Sequence, residues 1–131
     1  MKRLLLVCLM MTCSVSWAEW EEKVSDGISK IYFNKSTIRK NGQIIKMWVL
    51  EDFVTVQRIS DGRKYKSSKV YHAIDCKSEM RAIASIVFYE SEFGGGKVIV
   101  SLYNQEKNWN WKPIVPDSIS EMMLKVACGK K

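Results

Sequence analysis

The residues able to do chemistry are few. His72 is the single histidine of the chain, and an imidazole titrating near neutrality is the natural first candidate for a general base or a metal ligand. No His-x-x-His, His-Glu-x-x-His or cysteine cluster accompanies it, whereas zinc and transition-metal sites draw on three or four such ligands. A Ser/His/Asp triad can be written from His72, Asp75 and any of several serines. Residues three apart in one strand face opposite sides of a sheet, so Asp75 cannot orient His72 there, and no Gly-x-Ser-x-Gly elbow is present. Gly94-Gly95-Gly96-Lys97 lacks the Gly-x-x-x-x-Gly-Lys-Ser/Thr spacing of a phosphate loop, and Val98 stands where the hydroxyl belongs. It reads as a flexible hairpin turn. The sequence therefore predicts a non-enzymatic protein with a buried or half-buried strand histidine and no catalytic set, metal or cofactor.

The cysteines point to an oxidising compartment. Lys2 and Arg3 precede an apolar run from Leu4 to Met11, and Ser16-Trp17-Ala18 offers small residues at the positions a signal peptidase reads. Residues 1–18 are thus expected to be a signal peptide cleaved near Ala18, leaving a periplasmic or secreted protein. A transmembrane anchor is the competing reading, but the run is shorter than the ~20 residues that span a bilayer and the polar segment Glu19 to Lys23 follows it. An outer-membrane lipoprotein acylated at Cys13 is a further alternative. Thr12 speaks against it, because Gly, Ala or Ser normally precedes such a cysteine. Cleavage leaves 113 residues with 19 Lys+Arg against 14 Asp+Glu, a net charge of +5, and only Cys76 and Cys128. Two cysteines in an exported chain predict one structural disulfide, and no Cys-x-x-Cys spacing suggests redox catalysis. The bridge closes a loop of 53 residues, for which chain entropy gives about 4 kcal/mol.

A binding surface has two sources. Arg58, Arg63, Lys64, Lys66, Lys69 and Lys77, interleaved with Tyr65 and Tyr71, form the densest basic stretch. Such a surface suits an acidic polymer, anionic lipid or an acidic protein face, while lysines along a strand edge equally serve to block aggregation. Nucleic acid is not expected as a partner of an exported protein. Trp109 and Trp111 would share a face if extended, giving either core or an adhesive patch.

The elements that position these residues read mainly as strands. A chain of 131 residues with 47% hydrophobic and 27% charged residues matches one domain, here residues 19–131. Short β-branched and aromatic runs alternate with turn residues from Trp20 to Tyr103. Asp26-Gly27, Asn41-Gly42, Asp61-Gly62, Lys77-Ser78-Glu79 and Gly94-Gly95-Gly96 separate them, Asn41-Gly42 predicting an antiparallel pairing of the 28–33 and 44–50 runs. All connections are too short for a crossover helix. In the Tyr65–Cys76 run Val70, His72, Ile74 and Cys76 share one face, turning the cysteine into the core. After Pro116, Ser118-Ile119-Ser120-Glu121 matches a capping box, Ile119, Met122, Met123 and Val126 repeat at helical spacing, and Gly129 stops the helix. The expected fold is α+β: an antiparallel meander of five or six strands, with one C-terminal helix packed on its apolar face and tied there by Cys76 and Cys128.

The ordered series of residues resembles the surface-adhesin protein E family over most of the mature chain. It comprises Trp20, Ile31-Tyr32-Phe33, Asn41-Gly42, Met47-Trp48-Val49-Leu50 and Tyr65-Lys66-Ser67-Ser68-Lys69. It continues through Ile74-Asp75-Cys76-Lys77 with Arg81, a glycine-rich turn, Trp111 ahead of Pro116-Asp117-Ser118, and Cys128. The resemblance implies the same sheet, helix and single disulfide. It also implies an adhesin that holds host matrix or serum proteins, or another envelope macromolecule; the departure from the family's lipid-anchored pattern lies at Thr12. The alternative is a structural or stress-related periplasmic protein without a dedicated ligand.

Overall fold

The computed structural model describes residues 20–129, so the expected signal peptide, Cys13 and the Ala18 junction lie outside the described residues. Eight strands precede one helix: β1 (Glu21–Ser25), β2 (Ser29–Phe33), β3 (Arg39–Asn41), β4 (Ile44–Arg58), β5 (Lys64–Asp75), β6 (Met80–Tyr89), β7 (Val98–Tyr103), β8 (Lys112–Pro113) and α1 (Ile119–Cys128). Six lie side by side in the order β1-β2-β4-β5-β6-β7; β3 pairs with β4 and β8 with β6. Every pairing is antiparallel.

The strand count exceeds the predicted five or six for a compositional reason. β1, β3 and β8 are short polar pieces, EEKVS, RKN and KP, and carry little apolar alternation to reveal them. In the opposite direction, the 44–50 run and Val54 and Val56 belong to a single 15-residue strand, β4. The Asn41-Gly42 turn, with Gly42 at φ 61°, joins β3 to β4. The predicted pairing of the 28–33 run is also formed, farther along β4, where Phe33 lies opposite Val49.

Period-two alternation turns Ile45, Met47 and Val49 of β4 toward the helix, joined by Ile31, Phe33 and Ile74 from neighbouring strands. Met123, Leu124 and Ala127 of α1 bury against them, while Ile119, Met122 and Val126 flank the contact half-buried. The predicted stripe is thus widened by Leu124 and Ala127, as expected for a helix lying flat on a sheet. Ser118 caps α1 by accepting from the Glu121 N–H at 3.3 Å, Glu121 reaches back to the Asp117 N–H at 2.9 Å, and Gly129 closes it in the left-handed conformation. The Cys76–Cys128 disulfide ties the end of α1 to the sheet.

The opposite sheet face is covered as well, which a single-faced reading did not foresee. Ala73, Ala82 and Ala84 are small enough to receive the Trp109 ring, with Ile44, Tyr71 and Trp111 packed around it. On the same side the β6–β7 turn folds back: Phe93 meets Tyr32 edge-on at 5.0 Å, and the Gly94 N–H donates to Ser67 Oγ.

Candidate functional site

Helix α1 covers only part of its sheet face, and a cleft of ≈ 570 Å³ remains beside its first turn. Ile119 and Met123 form the helix-side wall, and Val70, Ile83, Ile86 and Phe88 line the sheet side. Phe53 and Tyr65, their rings edge-to-face at 5.6 Å, border it toward the β4–β5 turn, with Phe88 against Tyr65 at 4.5 Å. Burial pushes the Tyr65 phenol upward from its ordinary value.

Two polar side chains enter this apolar space. His72, 8% exposed, sits opposite Met47 of β4 and Ile83 of β6. Arg81 and Ile83 of β6, opposite Ile74 and His72 and separated by Ala82 on the other face, both line the cleft, and the register shift beyond them, between Tyr71 and His72, brings Ile86 and Phe88 onto the same face. His72 Nδ1 and Arg81 Nε are buried without a hydrogen-bond partner. Burial, reinforced by the positive charge of Arg81, pushes His72 down to about 4, so the imidazole is neutral at neutral pH.

The cleft carries hydroxyls too, from Ser68, Ser118 and Ser120. Ser118 Oγ is engaged by the Val115 carbonyl and by Ser120 Oγ rather than by His72. Asp75 serves the β5–β6 turn: it accepts from the Ser78 and Lys77 N–H groups and from Gln43 Nε2, and these bonds, Ser78 foremost, hold its carboxyl below the usual range. Among the described residues no hydroxyl or carboxylate is hydrogen-bonded to His72, so no nucleophile and base are coupled there.

The basic stretch divides rather than forming one patch. Arg58 and Lys64 are exposed, opposite one another at the β4–β5 tip. Arg63 pairs with Asp61 at 2.7 Å and donates to the Ile99 carbonyl, drawing that tip toward β7. Lys66 is half-buried against the Phe53 carbonyl and Glu92. Lys69 lies over the rings of Trp20 and Tyr89, at 5.7 and 5.2 Å. Tyr65 belongs to the cleft, and Lys77 to the turn after β5.

Trp109 and Trp111 share a face, and it is a covered one. A tight turn at Glu106–Asn108 brings Trp109 down onto the sheet, 9% exposed, with its indole N–H donating to the Asn104 carbonyl. Trp111 packs edge-on against it at 5.8 Å and stays half-buried.

An outward apolar surface lies elsewhere, on β7, whose sequence pattern marks it only as an ordinary strand. Among the described residues β7 pairs only with β6. Val98 is 54% exposed, Leu102 51% and Tyr103 76%. The available signal was the nearly unbroken apolar run Val98 to Tyr103, but only topology shows that this run ends the sheet. Phe53, Phe88 and Arg81 were likewise absent from the predicted site residues.

Comparison with known proteins agrees with this architecture. The family model described as Surface-adhesin protein E matches residues 17–129. A solved structure of Haemophilus influenzae protein E is similar at TM-score 0.63 and 14% identity, covering 86% of this chain and 86% of that chain. One of protein E from non-typeable Haemophilus influenzae is similar at TM-score 0.61 and 12% identity, covering 88% and 79%. At these identities the structural likeness establishes the fold alone. No curated protein sequence matches the chain.

Proposed function

The chain belongs to the surface-adhesin protein E family, and from that membership we propose that it is an exported, non-enzymatic binding protein that holds a macromolecular partner at the β7 edge. The observation that carries the reading is the exposure of three apolar side chains on a terminal strand, Val98 and Tyr103 toward one face of the sheet and Leu102 toward the other. Such an edge has backbone groups to offer an added strand, and side chains at alternate positions supply specificity. Arg58 and Lys64 at the adjoining tip, with Lys97 beside Val98, favour an acidic polypeptide. The single disulfide and the N-terminal sequence fit a periplasmic or secreted location.

The test is binding of the mature protein to immobilised matrix, serum and envelope proteins by surface plasmon resonance. Leu102→Glu with Tyr103→Glu should abolish the edge contribution, and Arg58→Glu with Lys64→Glu should slow association in a salt-dependent way. Equal recovery of every partner by all variants would refute the β7 edge as the binding surface, and no recovery of any partner by the natural protein would favour a protein without a dedicated ligand. Mass spectrometry of the native mature chain tests the location, through the cleavage site and any lipid on Cys13.

A further inference from the structure

We propose that the cleft beside α1 binds a free monoacyl carboxylate, its head held by Arg81 and His72 and its hydrocarbon chain laid along Ile83, Ile86 and Phe88. The polar groups argue for the head. Arg81 has no carboxylate partner among the described residues, and its buried Nε faces no acceptor. A planar guanidinium matches a carboxylate better than it matches any neutral group. His72, 8% exposed and unpartnered at Nδ1, lines the same space. A neutral imidazole carries one N–H and adds no second charge to be compensated. The first turn of the ten-residue α1 forms one wall of this space, so its positive end also favours an anion.

The remaining walls argue for the chain. Arg81 lies opposite Ile74 and Phe88 opposite Ser68, six residues apart along β5, or about 20 Å at the strand rise. Between Arg81 and Ser68 the cleft side of the sheet presents Ile83, Ile86, Phe88 and Val70, and the cleft volume of ≈ 570 Å³ falls within the range of sites that enclose one small ligand. Charge fixes the direction. Glu51, opposite Ser68 and accepting from Ser29 Oγ at 2.8 Å, stands at the end away from Arg81, where a second carboxylate would be repelled. A two-chain phospholipid asks for more volume, and a cationic amphiphile would meet Arg81.

Isothermal titration calorimetry of the mature protein with dodecanoate, dodecanol and dodecyltrimethylammonium tests this, alongside methyl chemical shifts. Dodecanoate should bind most tightly and move the Ile83, Ile86 and Met123 methyl signals. Arg81→Gln should weaken dodecanoate about tenfold and leave dodecanol unchanged, while Arg81→Lys should recover part of the loss. Equal affinity for the three amphiphiles, an Arg81→Gln protein that melts normally and binds dodecanoate undiminished, or shifts confined to Val98 and Leu102 would overturn it. So would a response to phosphatidylglycerol vesicles in the absence of one to dodecanoate. Partner capture at the β7 edge is read in a separate assay, so the failure of either proposal is visible without the other.

Discussion

Acidification should destabilise this protein through His72 specifically, by an amount the cleft geometry sets. In the folded chain His72 is pushed from 6.5 to about 4 by burial first and by Arg81 second. The unfolded chain takes up the proton at the ordinary value, so between the two values the unfolded state binds more protons and stability drops as pH is lowered. The contribution is fully present above about pH 6.5 and lost as pH drops through 4. At about 1.4 kcal/mol per unit the whole loss is about 3 kcal/mol, with about 2 kcal/mol gone by pH 5. That is a large share of a small domain's stability. The assay is urea unfolding followed by tryptophan fluorescence from pH 7.5 to 3.5, for the natural protein and for His72→Gln. Carboxylates held low in the fold, such as Asp26, Asp61 and Asp75, act in both proteins and cancel in the difference. The difference curve should fall by about 3 kcal/mol toward low pH, and the imidazole resonances should titrate near 4. A flat difference curve, or imidazole titration at an ordinary value, would refute the claim that His72 is desolvated beside Arg81.

Reducing Cys76–Cys128 should lower unfolding free energy by about 4 kcal/mol, the entropy of closing its loop; urea midpoints with and without reductant measure it. Ser118→Ala should cost about 1 kcal/mol by removing the N-cap acceptor for Glu121, visible as a lowered thermal midpoint. Gly94→Ala should cost about 1 to 2 kcal/mol: φ is +71°, and the added Cβ would stand 2.6 Å from Lys69 Cε. If Gly94→Ala unfolds at the parent's urea midpoint, the turn is not held in that conformation.

Local chemistry made much of the architecture legible. Turn residues such as Asn41-Gly42 and Asp61-Gly62 and the two-residue period of β5 announce strands, because side-chain alternation and positive φ are properties of neighbours in the chain. The cap at Ser118 and the stop at Gly129 are equally local. The cysteine pair follows from counting the two sulfurs left once residues 1–18 are expected to be cleaved. The candidate site was far less legible. His72 reads as a strand histidine, but its meeting with Arg81 depends on which residues of β6 lie opposite Ile74 and His72, which no spacing within either strand encodes. The basic residues look like one patch in sequence. Folding distributes them, with Arg63 bound to Asp61 and Ile99, Lys69 laid over Trp20 and Tyr89, and Tyr65 turned to the cleft.

Sequence by itself thus determined the longer extended segments, where α1 begins and ends, and that Cys76 pairs with Cys128. Tertiary structure alone decided that Trp109 is covered, that Val98 to Tyr103 form an edge, and that α1 stops short of Phe53 and Phe88. The physical reason is range. Propensity, capping and turn chemistry act over a few residues, whereas burial, edge position and desolvation are set by strand order, register and what the helix leaves uncovered.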